Sequence, residues 1–285
     1  MSRPRLRYAL AAVATGLLVL AGVATSQLPA FGAGAWLHPL RVRGAGTTPP
    51  HCEETFFDGD DVRLAGWRCR ATAKRRGTIV TLHGFGDNRR GAVGISARYL
   101  PRGFDGVAYD SRAHGESDGD VCTYGVRERD DLRRVIDTLE PGPVVLIGAS
   151  LGGAVALQEA AHDSRVAAVI AAESFSDVRT VARERAPAYF TATIIERAFA
   201  LAERQGQFRI DDASPERAAL LISAPVLLVH GAQDVETPPE HSRRIYRALT
   251  GPKRLILVPG VGHNRSLQPE VWPDIDAWID NAVGK

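Results

Sequence analysis

Pro143-Val144-Val145-Leu146-Ile147-Gly148-Ala149-Ser150-Leu151-Gly152 is the stretch that decides the fold. Its first five residues form an apolar, β-branched run that reads as a buried strand, and the small residues from Leu151 to His162 read as a helix. A serine between the two stands on a sharp strand-to-helix turn. Its backbone is crowded there, and only small residues two before and two after it let the flanking chains pass. Gly-x-Ser-x-Gly by itself occurs by chance in many chains, so the strand before it and the helix after it carry the inference. Ser150 is the candidate nucleophile; the plainer reading is an ordinary strand–turn–helix with an incidental serine.

A serine hydroxyl needs a base to take its proton and a third group to orient that base. Histidine suits the first role, because its unperturbed pKa of about 6.5 lets it accept and return a proton. In strand–turn–helix versions of this chemistry the acid and then the histidine follow the serine. That leaves His162, His230, His241 and His263. His162 and His241 fall on expected helices and read as surface or packing residues. His263 lies in Pro259-Gly260-Val261-Gly262-His263-Asn264, directly after the strand-like Arg254–Val258, and is the candidate base. Asp234 follows the strand Pro225–His230 and is the candidate acid. Glu173, at the end of the run Arg165–Ala172, is its main rival, with Glu236 nearby. Charge develops on the carbonyl oxygen in the transition state, so two backbone N–H donors are also required. Leu151 and Phe85 are the candidates, and His83 reads as a brace for the turn that holds Phe85.

His83-Gly84-Phe85-Gly86, the Asp110–Ser117 loop, Gly148-x-Ser150-x-Gly152, His230-Gly231-x-x-Asp234 and Gly262-His263 together resemble the α/β-hydrolase superfamily. The likeness runs from about Cys52 to the C-terminus. Within the superfamily it is similar to the branch of prolyl-oligopeptidase-like, monoacylglycerol-lipase-like and depalmitoylase-like members. That resemblance implies acyl transfer to water through an acyl-serine, with no cofactor, and makes Asp110 and His114 structural. The expectation is a serine hydrolase acting on a small-molecule ester or thioester. A peptidase of the same fold and a catalytically silent binding protein on this scaffold remain as alternatives.

Strands alternate with helices from Thr78 onward, which predicts an α/β fold with a mainly parallel sheet covered on both faces. Helices are expected near 124–140, 151–162, 239–249 and 269–282. Glu53–Phe57 and Val62–Trp67 flank the turn Asp58-Gly59-Asp60-Asp61 and read as an antiparallel hairpin. A helical insertion over about 176–210, rich in Ala, Arg and Glu with Tyr189, Phe190 and Phe199, reads as a small cap over the site or as a purely packing excursion.

Arg3, Arg5 and Arg7 precede the apolar run Ala9–Ala24. This is the form of an export signal or a retained membrane anchor over residues 1–26, with the domain outside the cytoplasm. A Pro/Gly-rich linker is expected over 27–50, and the hydrolase domain over 51–285. With the three N-terminal arginines set aside, 33 acidic residues balance the remaining basic ones. Nothing points to nucleic acid, and no Cys/His spacing points to a metal. Export would make the three cysteines informative. Cys52 and Cys69 are equidistant from the hairpin turn, so simple register sets them opposite each other for a disulfide and leaves Cys122 free.

Overall fold

The computed structural model describes residues 3–284. In chain order the elements are α1 (Arg3–Leu37), β1 (Cys52–Asp58), β2 (Arg63–Cys69), β3 (Gly77–Leu82), α2 (Val93–Tyr99) and β4 (Phe104–Tyr109). Next come α3 (Glu128–Asp137), β5 (Val144–Ala149), α4 (Leu151–Ala160), β6 (Val166–Ala172), α5 (Val178–Arg185), α6 (Ala192–Gly206) and α7 (Pro215–Ala219). The chain closes with β7 (Val226–Gly231), α8 (Glu240–Ala248), β8 (Lys253–Val258) and α9 (Trp272–Val283).

Among the described residues the strands form one sheet in the order β1-β2-β4-β3-β5-β6-β7-β8. The first two pairings, β1 with β2 and β2 with β4, are antiparallel, and the rest are parallel. Side chains alternate across a strand, so continuous apolar runs supply two cores. Val80, Leu146 and Leu228 join the core under α3, α4 and the insertion. Ile79, Val145, Ile147, Leu227 and Val229 join the one under α2 and α9. This is the α/β-hydrolase fold expected from the sequence.

The hairpin register pairs Cys52 with Cys69, and the two are bonded. Cys122 is free and buried.

Several boundaries differ from the sequence reading. The helix expected over 124–140 begins only at Glu128, because its carboxylate folds back to accept the N–H groups of Thr123 (2.7 Å) and Gly125 (2.7 Å). The last helix starts at Trp272 rather than 269, with Pro273 in its first turn, where a missing N–H costs nothing. The insertion is two helices, since Pro187 cannot continue α5. Asp177 caps one and Thr191 the other.

The N-terminal expectation needs a larger correction. Helix α1 runs through to Leu37, so the linker expected from residue 27 begins only after it. Its last turns belong to the fold: Ala33 and Leu37 are fully buried, and Trp36 stacks on Phe199 of α6 at 4.9 Å. Among the described residues no helix is long and apolar enough to cross a membrane, so the expected anchor has no support. The side chains of Arg3, Arg5 and Arg7 lie outside the described residues.

Candidate active site

Ser150 sits between β5 and α4 with φ 50° and ψ −113°, a conformation that a non-glycine residue adopts only under constraint from its surroundings. The constraint is visible at its two glycines. A Cβ on Gly148 would lie 2.3 Å from the Gly152 carbonyl carbon, and one on Gly152 would lie 2.2 Å from the Leu82 carbonyl oxygen. Bare backbone at both positions lets β5, α4 and the end of β3 cross at contact distance.

His263 leaves the loop after β8 and reaches back to Ser150, with Nε2 3.1 Å from the serine Oγ. Its Nδ1 lies 2.6 Å from Asp234 Oδ2. An ionised carboxylate only accepts hydrogen bonds, so Nδ1 carries the proton and Nε2 presents its lone pair to the hydroxyl. Burial alone would raise the Asp234 carboxyl. Hydrogen bonds from His230, His263 and the Thr237 N–H outweigh it and hold the group well below the usual carboxylate range. Asp234 Oδ1 accepts the N–H groups of Glu236 and Thr237, both at 2.9 Å, so Glu236 contributes backbone to the acid's turn.

Glu173, the rival acid, has a different partner set. At the end of β6 it accepts the backbone N–H groups of Asn264, Arg265 (3.0 Å) and Ser266 (2.8 Å). It holds the segment that follows His263, not the imidazole. Neither this nor the buried His230 was found by sequence reasoning. His230 donates from Nε2 to the Thr237 carbonyl at 2.7 Å and lies 3.3 Å from Asp234, making a second imidazole on the acid. The signal for His230 was its place four residues before Asp234 at the end of a buried strand.

Leu151 opens α4, so its N–H has no partner within the helix. Phe85 lies in the turn after β3, its ring stacked on Tyr124 and edge-on to His114, both at 5.6 Å between centroids. His83 spans that turn, donating from Nδ1 to the Gly84 carbonyl (2.8 Å) and accepting at Nε2 from the Ser111 N–H (2.9 Å). Burial lowers its pKa and favours this neutral form. His114 is pushed down to about 4, by burial first and then by the neighbouring His83. Asp110 takes the Arg89 guanidinium at 2.5 Å together with the N–H groups of Arg89 and Glu116, which clamps the loop after β4 to the one after β3.

The insertion and the end of α1 bound the site. Arg185 at the end of α5 bonds the Glu236 carbonyl (2.8 Å) and the Thr237 hydroxyl, joining the insertion to the turn that holds Asp234. Beyond α1, Asn88 donates to the Val42 carbonyl at 2.8 Å, so that segment runs beside the Phe85 turn. His241 is a packing residue: Nδ1 accepts from the buried Ser176 hydroxyl (2.8 Å), and Nε2 donates to Glu184 (2.7 Å). His162 lies just beyond α4. Among the described residues no group of His, Cys, Asp and Glu is arranged to hold a metal ion.

A family model described as alpha/beta hydrolase fold matches residues 77–211. The uncharacterized protein YqkD of Bacillus subtilis (strain 168) is 31% identical over 202 residues, 66% of this chain and 65% of that protein. The Pyrococcus furiosus esterase Pf2001 superposes with a TM-score of 0.69 at 21% identity, over 87% of this chain and 100% of the other. Acetyl xylan esterase 1 from Thermoanaerobacterium sp. JW/SL YS485 does so with a TM-score of 0.64 at 19% identity, over 90% and 93%. At those identities the two esterases speak for the fold alone. Family match and shared topology agree with the motifs read from the sequence: the chain has the α/β-hydrolase fold, and its residues 77–211 match the model of that superfamily.

Proposed function

We propose that the protein is a serine hydrolase that cleaves a carboxylic ester or thioester. The observation that carries this reading is the continuous hydrogen-bonded row from Asp234 through His263 to Ser150, at 2.6 and 3.1 Å. In the proposed mechanism Ser150 Oγ attacks the substrate carbonyl as His263 Nε2 takes its proton. Asp234 fixes the tautomer and stabilises the imidazolium. The N–H groups of Phe85 and Leu151 receive the oxyanion. The bond to the leaving group then breaks, with His263 returning the proton to the departing oxygen or sulfur. Water, deprotonated by the same imidazole, attacks the acyl-serine and releases the acid.

A fluorophosphonate probe tests the reading. Wild-type protein should label and Ser150→Ala should not. A folded wild type that resists the probe, or a Ser150→Ala variant that still takes it, overturns the assignment.

The domain reading accompanies it: residues 1–26 as an export segment and 51–285 as the hydrolase domain, with the cap over about 176–210. The Cys52–Cys69 bond supports export, because such bonds persist in oxidising compartments. N-terminal sequencing and fractionation test this. An intact Met1 on cytoplasmic protein with both thiols reduced would overturn it.

A further inference from the structure

A cavity of about 250 Å³ lies beside the nucleophile turn, against the face of the sheet covered by α2. Its walls include Gly84, Ala149 and Asn264, the immediate neighbours of Phe85, Ser150 and His263. Ile95, Ile147, Ala172 and Leu267 make much of the rest apolar. The volume is below the roughly 300–1,000 Å³ of sites that enclose drug-sized ligands. At ~30 Å³ for a water-sized unit, it takes on the order of eight non-hydrogen atoms, which is the size of one arm of a small ester.

The polar atoms of the lining narrow the choice further. Glu173 is saturated by three backbone N–H groups, and the Arg89 charge is answered by Asp110 and Glu116. Asp87, the remaining carboxylate of the lining, is exposed and among the described residues accepts only the Asn88 N–H (2.8 Å), so the buried charges are answered and the one charge left over disfavours an anionic arm. Yet the Ser266 hydroxyl, on a residue only 1% exposed, has no hydrogen-bond partner among the described residues, and neither does Arg89 Nε. A buried hydroxyl left unpaired is unfavourable, so a ligand oxygen brought within its reach is favoured.

We propose that this cavity receives a short arm of the ester that carries a neutral hydrogen-bonding group, a hydroxyl or a keto oxygen, paired with Ser266 Oγ. The inference rests on the serine-hydrolase reading above for its place in the reaction. Ser266 is then a specificity residue that selects an oxygenated arm over the plain alkyl arm of equal length.

The test compares kcat/KM for ethyl β-hydroxybutyrate against ethyl butyrate, which varies the acyl arm, and for the acetate of a butanediol against butyl acetate, which varies the alkoxy arm. In one of the two pairs wild type should prefer the oxygenated member. Ser266→Ala should cut that preference about tenfold, which corresponds to ~1.4 kcal/mol. Ser266→Thr, which keeps a hydroxyl, should retain more of the preference than Ser266→Ala. An unchanged preference in both pairs overturns the proposal, as does faster hydrolysis of a decanoate than of a butyrate. Calorimetry of ethyl β-hydroxybutyrate on Ser150→Ala, with and without Ser266→Ala, reads the cavity without turnover. Weaker binding in the double variant supports it, and equal or absent binding overturns it. Fluorophosphonate labelling at Ser150, run in parallel, reports failure of the serine-hydrolase reading separately.

Discussion

The Glu173 carboxylate accepts the backbone N–H of Ser266 at 2.8 Å, across 93 residues of sequence, and with Asn264 and Arg265 it fixes the chain immediately after His263. The imidazole is thereby held from two sides: Asp234 acts on its ring, and Glu173 acts on the backbone beyond it.

Glu173→Gln replaces one acceptor oxygen with an amide that points donors at donors. The expected result is a loss of roughly ten- to a hundredfold in kcat with KM little changed, from an imidazole less well aimed. End-point titration of active sites with the fluorophosphonate probe, beside steady-state kinetics, separates this positioning role from a loss of fold, which would lower the titrated fraction and leave the kcat per titrated site alone.

Asp234→Asn should be more severe, lowering kcat by roughly three to four orders of magnitude while circular dichroism stays native, because the base loses the partner that sets its tautomer. A larger effect from Glu173→Gln than from Asp234→Asn would reverse the two roles.

The depressed Asp234 carboxyl also predicts a pH dependence of stability. Its folded value lies below the unfolded one of about 3.9, so its contribution is complete above that pH and is lost as pH falls further toward the folded value. Chemical denaturation between pH 5 and the acid limit should show wild type losing stability faster than Asp234→Asn. Parallel curves would contradict the carboxylate's assigned hydrogen bonds.

Gly152→Ala should destabilise by several kcal/mol, on the order of 3 or more, because the added Cβ would meet the Leu82 carbonyl oxygen at 2.2 Å and backbone must move to admit it. The midpoint of urea unfolding measures this. An exposed Gly94→Ala, where nothing lies within 4 Å of the new methyl, is the control.

The Cys52–Cys69 bond closes a loop with a sequence separation of 17. Restricting the unfolded chain to that extent contributes about 3 kcal/mol, so reduction should lower Tm by roughly 5–10 °C. Scanning calorimetry with and without reductant, followed by non-reducing peptide mapping, checks both the size of the effect and the pairing.

Local signals made much of this molecule legible in the chain. Apolar runs set the strands, and Gly148 and Gly152 around Ser150 marked the turn, because close backbone approach admits almost no other residue. The equal spacing of Cys52 and Cys69 about the turn fixed their register, since a hairpin has only one simple alignment. The order of Ser150, Asp234 and His263 along the chain selected the residues that the structure brings within hydrogen-bond distance.

What the sequence left open was decided by contacts between distant segments. Glu173 and Asp234 are both acids at strand ends, and only the folded path of the loop after β8 determines which meets the ring and which meets the backbone. The stretch from residue 27 read as a linker because its prolines and glycines are poor helix formers. Only the fold shows α1 continuing to Leu37, with Ala33 and Leu37 buried and Trp36 stacked on Phe199 of α6. Ser266 carried no motif at all: an unpaired hydroxyl becomes recognisable only when the walls that bury it are in place.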